Sequence, residues 1–157
     1  MLKVNIRYID KDVPHMTHAA HGNWIDVRAC HIKGLEWAEE DGKKVFRYKA
    51  GDFFLVGLGF ALQCPDGYEA YVAPRGSTFK NFGVVQTNAW GIVDETYRGN
   101  NDEWFEPFFA LRDGEIHQYD RVGQMRFMAA MEQVQFCPVD EFPDAVDRGG
   151  HGSTGVK

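Results

Sequence analysis

The sequence predicts an all-β chain, and three observations carry that prediction. Apolar and polar residues alternate with period two near the start, turn residues recur at short intervals, and helix signals are scarce. Leu2, Val4, Ile6 and Tyr8 alternate with Lys3, Asn5 and Arg7, the period of a half-buried strand. Residues 35–44 are charged and read as a hairpin tip rather than one helical turn. Residues 52–62 are rich in Phe, Val and Leu, interrupted by Gly57 and Gly59. They predict a strand buried on both faces, or one bulged at those glycines. Cys64-Pro65-Asp66-Gly67 is a turn signal, and residues 68–73 follow as a strand. Residues 77–81 suit a short helix. Residues 105–111, 122–128 and 134–139 are further strands, with 127–131 read as a strand end despite helical spacing. Such a series suits a sandwich, barrel or jelly roll. Apolar periodicity is lost from about residue 140, so residues 1–140 are expected to form the core and 141–157 an arm leaving it.

At 157 residues with 44% hydrophobic content, the chain suffices for one domain with a real core. Its net charge of −6 argues against a broad basic face, and so against nucleic-acid polymers as partners. The sequence shows neither an N-terminal apolar segment of the secretory type nor an apolar run long enough to span a bilayer, so no membrane role is expected. Cys30, Cys64 and Cys137 are odd in number and far apart. That speaks against a disulfide framework or zinc site and makes a reducing cytoplasm the simplest location. His15, His18 and His21 fall in a loop-like stretch and read as solvated.

Five stretches carry chemistry. Residues 22–29 place Asp26 in an apolar strand, where a carboxylate needs a cation such as Arg28 or metal-bound water. Residues 74–78 end a strand with Arg75, Gly76, Ser77 and Thr78. These residue types suit an anion site, and equally an ordinary turn with Ser77 as N-cap. Residues 88–99 read as strand, acidic turn, strand. Backbone exposed there can bond a planar base edge, and Tyr97 can stack on a flat ring or sugar. Asp94 follows Ile92 and Val93 and is expected to sit partly buried, poised to take a proton from water. Residues 120–124 set Arg121 and Gln124 among apolar neighbours, with an Asp120 ion pair as the default. Residues 148–155 combine four glycines with Arg148, Ser153 and Thr154. Glycine lets backbone N–H groups converge on a ligand, and the guanidinium matches phosphate oxygens. Such a loop can close over a polyphosphate; by composition alone it also reads as a solvated tail.

In this order and at these separations, the five stretches resemble the motifs of the trimeric dUTPase family, and most closely its Bacillus and prophage variety. The third and fifth are specific and the others loose. The resemblance implies a distorted β jelly roll that assembles as a homotrimer, with a C-terminal arm closing a neighbour's active site. It implies Mg2+-dependent hydrolysis of dUTP to dUMP and pyrophosphate by attack of water on the α-phosphorus. By position, Asp94 matches the acid that activates the water. Tyr97 matches the aromatic residue under the deoxyribose, where a ribose 2′-OH does not fit. Asn88, with hairpin backbone at Gly91 and Val93, matches the uracil-reading element. Arg75, Gly76, Ser77 and Gln124 match phosphate-binding positions, as do Arg148, Gly152, Ser153 and Thr154 of the arm. Asp26 matches an acid near the metal's water shell, so no direct protein ligand to Mg2+ is expected.

Two positions depart from the family pattern. Gly76 stands where a Ser is usual, which also keeps open a weakly active or purely dUTP-binding protein. His151 stands where many relatives carry the Phe that lids the uracil, and Phe105, or failing it Trp104, is the candidate replacement. A sister reading, dCTP deaminase, needs a catalytic Glu after the third motif, and neither Glu103 nor Glu106 makes a convincing match.

Overall fold

Asn5–Tyr8 (β1) holds the second half of the predicted alternation, with Ile6 and Tyr8 turned inward and Asn5 and Arg7 outward, whereas Leu2 is exposed and precedes the strand. The computed structural model describes residues 1–18, 22–143, 145–147 and 149. Ile25–Arg28 (β2) and His31–Ile32 (β3) precede a hairpin of Ala38–Glu40 (β4) and Lys43–Tyr48 (β5). That hairpin is the predicted one. Its turn residues Asp41 and Gly42 both take positive φ, 50° and 72°, and it registers Glu39 with Lys44 and Glu40 with Lys43. Phe53–Gly57 (β6) and Phe60–Gln63 (β7) replace the single strand expected over 52–62. The break falls at Gly59, whose φ of 74° is left-handed and whose missing Cβ leaves room for Cys30 Sγ. The chain thereby passes from one sheet to another.

Tyr68–Pro74 (β8) leads into the short helix Thr78–Phe82 (α1), then Val84–Gln86 (β9) and Gly91–Val93 (β10). Phe105–Ala110 (β11), Gly114–His117 (β12) and Arg121–Ala129 (β13) complete the elements among the described residues. Every pairing is antiparallel, in four small sheets ordered β1-β7, β10-β8-β13-β2, β3-β6-β11-β9 and β12-β5-β4. They enclose one core containing Val27, Val56, Leu58, Phe60, Phe108, Ile116, Val122 and Met125. The all-β expectation therefore holds.

Three further expectations need correction. Residues 134–139 form no strand, and Val134, Phe136 and Val139 are exposed. A strand needs a neighbour's backbone, and the described part of this chain brings none to that segment. The second half of the 88–99 stretch is not a return strand either: β10 pairs with β8, and residues 94–104 are turn and coil. At the start of α1, Ser77 occupies the N-cap position without a side-chain capping bond. Thr78 does the local work, its Oγ1 accepting from Arg75 N at 2.8 Å and donating to Val122 O at 2.8 Å. Among the described residues the expectation of unpaired cysteines stands, with Cys30 and Cys64 buried and Cys137 exposed.

One core feature was unforeseen. Glu106 on β11 is 0% exposed, and neither carboxyl oxygen has a hydrogen-bond partner. It fits because Gly123 has no side chain; a Cβ there would lie 2.3 Å from Glu106 Oε2. Burial pushes its pKa up to about 8. Below the ordinary glutamate pKa, folded and unfolded chains both hold this proton. Between that value and about 8, only the folded chain does. Stability from this group is thus fully present below the ordinary glutamate pKa and is lost as pH rises toward about 8. Glu106→Gln is expected to flatten that slope. Urea midpoints of both proteins at pH 5 and pH 8, at one protein concentration, check it, and an unchanged slope would assign the proton elsewhere.

Candidate active site

The predicted residues gather in two clefts. The first, about 360 Å³, is lined by Asn88, Gly91, Val93, Asp94, Tyr97 and Phe105, together with Val72, Ile92, Glu103 and Trp104. The second, about 380 Å³, is lined by Asp26, Arg75, Gly76, Ser77 and Gln124, together with Gly22, Asn23 and Trp24. The clefts share no residue. The sheet order β10-β8-β13-β2 explains the separation, because the first cleft is built on edge strand β10 and the second reaches to β2 at the opposite edge. One chain therefore unites the base-and-sugar candidates with each other, and the phosphate candidates with each other, but not the two sets.

In the first cleft, β10 has only β8 beside it, so one row of its backbone N–H and C=O groups has no strand partner among the described residues. Gly91 lies close to β8; a Cβ there would meet Val72 Cβ at 3.2 Å. The Asn88 amide is set by Gln86, whose Nε2 donates to Asn88 Oδ1 at 2.8 Å and to Val72 O at 3.1 Å. That leaves Asn88 Nδ2 as the donor. The Tyr97 hydroxyl donates to Glu103 O at 3.0 Å, and the residue as a whole is 42% exposed. Phe105 opens β11 and is half-buried at the cleft. Trp104 is buried in the core against Phe60, ring centroids 5.2 Å apart.

Asp94 is exposed, against the expectation of partial burial. Its Oδ1 accepts from Thr96 N at 2.9 Å and from Thr96 Oγ1 at 2.6 Å. These bonds, the side-chain one foremost, hold the carboxyl below its usual range, so it is ionised at neutral pH. Glu103 shares the cleft, but its Oε1 is engaged by Gly59 N at 2.9 Å and His31 Nε2 at 2.8 Å.

In the second cleft, the register of three strands assembles the charges. Gln124 on β13 stands between Asp26 on β2 and Ala73 on β8. Gln124 Nε2 donates to Pro74 O at 3.0 Å. Asp26 pairs with Arg75 Nε at 2.8 Å and Arg121 Nη1 at 3.0 Å. Arg28, the cation expected from the sequence, instead donates to Tyr119 O at 2.8 Å. Asp120 accepts from His117 N at 2.9 Å, so the Asp120–Arg121 pairing suggested by adjacency gives way to Arg121 with Asp26. Arg121 does not line the cleft but pairs with Asp26 from beside it, so two guanidinium groups against one carboxylate leave this cluster net positive and suited to an anion. Arg148, Gly152, Ser153 and Thr154 lie outside the described residues, as does His151.

A sequence model of the dUTPase family matches residues 43–155, well over half the chain. The chain belongs to the dUTPase family. The SPbeta prophage-derived deoxyuridine 5'-triphosphate nucleotidohydrolase of Bacillus subtilis is 44% identical over 156 residues, covering 99% of this chain and 100% of that one. Among solved structures, a dUTPase of Staphylococcus bacteriophage 80alpha with dUPNHPP has a TM-score of 0.71 at 16% identity, covering 99% of this chain and 100% of that one. A mutant dUTPase of phage phi11 of S. aureus, in which a structural Mg(II) ion is coordinated, has a TM-score of 0.67 at 12% identity and covers 90% and 99%. At those identities the likeness concerns the fold, which is the expected dUTPase jelly roll. The prophage-like variety fits as well.

Part of the neighbourhood of these clefts is not legible in the sequence. Arg121 stands out in the sequence, but its partner Asp26 does not, because cross-strand register decides it. Glu103 reads from the sequence only as a candidate deaminase acid. Val72 contributes through the opposite strand, which the linear sequence does not display. Among the described residues, no helix is long and apolar enough to cross a membrane, and no group of three acidic, His or Cys side chains forms a metal cage.

Proposed function

We propose that this dUTPase binds uracil and deoxyribose in the Asp94–Tyr97 cleft and the triphosphate against an Arg75–Gln124 cleft, and that the two are joined by a neighbouring copy. The observation that carries the reading is the first cleft. An ionised carboxylate, a presented tyrosine ring and an open strand edge line one cavity of about 360 Å³. Uracil offers a planar edge of alternating acceptors and one donor, which the β10 backbone and Asn88 Nδ2 can meet. The separation of the two clefts supports a homotrimer with shared sites, since one nucleotide must touch both sets. The exposed apolar residues Val134, Phe136 and Val139 support a segment that finds its partner outside its own chain.

In the reaction, Asp94 orients a water in line with the α-phosphorus and takes its proton as the new P–O bond forms. The bond to the bridging oxygen breaks, and pyrophosphate leaves with that electron pair. Arg75 and Gln124 face the charge that develops on the phosphoryl oxygens, so catalysis is positioning plus electrostatics. Mg2+, when bound, would supply further charge neutralisation on the phosphates, with Asp26 the residue placed to hold one of its waters. The donors fit that mode. Asp26 already engages two guanidinium groups yet is partly exposed to the cleft, so it suits a water-mediated contact rather than a direct one. The arm residues Arg148, Gly152, Ser153 and Thr154 are assigned to the outer phosphates on motif position alone. Release of pyrophosphate from dUTP with Mg2+, and not from dTTP, dCTP or UTP, tests the proposal. Equal rates on all four would remove the base-and-sugar cleft from it.

Gly76 tests the phosphate cleft separately. A Cβ at Gly76 would meet nothing within 4 Å, and its backbone is not left-handed. The family's usual Ser thus fits without strain, with its hydroxyl in the cleft. Gly76→Ser is expected to preserve or raise kcat, by up to roughly tenfold if it adds a donor used in the transition state. A strong loss in a steady-state assay would mean that the loop needs glycine.

A further inference from the structure

His31 lies outside all five motifs and does not line the base-and-sugar cleft, yet two walls of that cleft depend on it. In one row across a sheet, Gly57 on β6 is paired with His31 on β3 and with Phe105 on β11. Gly57 has no side chain, and a Cβ there would lie 2.1 Å from His31 Nε2. The two flanking rings therefore meet over the glycine, edge to face, with centroids 5.7 Å apart and planes at 89°. Lys33 Nζ covers the Phe105 ring at 5.1 Å. His31 Nε2 also donates to Glu103 Oε1 at 2.8 Å, and the same oxygen accepts Gly59 N at 2.9 Å. That carboxylate is only 13% exposed, so its fixed position constrains the main chain at residue 103. The backbone oxygen of Glu103 in turn accepts the Tyr97 hydroxyl at 3.0 Å.

Resting on the reading of this cleft given above, we propose that His31 is a positioning residue for substrate selection. Through Glu103 it fixes the height of the Tyr97 ring, and through its own ring it fixes Phe105. It touches no substrate atom. Its loss loosens the floor that keeps a ribose 2′-OH out, so discrimination between dUTP and UTP falls more than folding does.

The test compares kcat/KM for dUTP and UTP in the wild type, His31→Phe, His31→Gln and Tyr97→Ala. His31→Phe keeps a ring against Phe105 but has no N–H for Glu103. His31→Gln keeps a donor of similar reach. His31→Phe is expected to lower the dUTP-over-UTP ratio about tenfold, chiefly by lowering KM for UTP, and His31→Gln to recover most of it. A purely structural role would reduce the active fraction and scale both substrates alike. If Tyr97→Ala loses the preference but His31→Phe keeps it, the His31 clamp is overturned and the cleft assignment stands. If both variants keep the wild-type ratio, the cleft assignment itself falls, and the clamp with it.

Discussion

Asp94→Asn is expected to bind dUTP as the wild type does and to release pyrophosphate about a thousandfold more slowly. Asn is nearly isosteric, and its carbonyl oxygen can still accept the Thr96 N–H and hydroxyl that hold Asp94 Oδ1 at 2.9 and 2.6 Å. The loop is thus preserved while the proton acceptor is lost. Removing a positioned general base costs on the order of 10²–10⁴ in rate, and the midpoint of that range is the expected loss. Single-turnover pyrophosphate release, paired with calorimetric titration of a non-hydrolysable dUTP analogue, separates binding from chemistry. A variant that turns over within tenfold of the wild type would move the base elsewhere. The pH profile has a definite sign. Because Thr96 holds the Asp94 carboxyl below its usual range, the active ionised form persists on the acid side, and kcat is lost only as pH falls through that lowered value. Thr96→Val removes the hydroxyl donor and is expected to shift the acid limb upward, toward the ordinary aspartate range.

Arg75→Ala is expected to lower kcat/KM for dUTP by about 10²–10³ through the loss of one transition-state donor of charge-assisted strength. Arg75 and Arg121 together overbalance Asp26, at 2.8 and 3.0 Å. Without Arg75 the cluster retains one cation against one carboxylate, and its attraction for a polyphosphate is largely cancelled. Arg75→Lys is expected to restore little, because an ammonium cannot hold Asp26 and a phosphate oxygen in one planar fork. Stability should change by less than about 1 kcal/mol, as the ion pair is partly solvated. Steady-state kinetics beside a thermal melt check both halves. Kinetics within fivefold of the wild type would show that triphosphate is bound without this cleft.

The legible parts of the fold were those encoded within a few residues. The Asp41-Gly42 turn, the Cys64–Gly67 turn and the alternation of β1 are local rules, and each survives in the structure. The strand over 52–62 was legible as apolar but not as two strands. Its division depends on Gly59 adopting a left-handed φ where Cys30 from another strand packs against it. The strand expected at 134–139 shows the opposite failure, since apolar content names a surface that wants covering but not what covers it. Asp94 was placed partly inside because apolar residues precede it, whereas the edge position of β10 leaves its end in solvent.

By itself, the sequence determined that this protein is all-β and that it belongs with the dUTPases. These depend on residue types, periods and spacings, which are properties of the chain as a string. Tertiary structure alone decided who partners whom. Strand register turned Asp26 from Arg28 to Arg75 and Arg121, set Glu106 against the missing side chain of Gly123, and joined His31 to Phe105 across Gly57. It also divided the candidate site between two edges of one sheet. The reason is physical: an antiparallel ladder brings together residues dozens of positions apart, and a shift of one residue would exchange every partner.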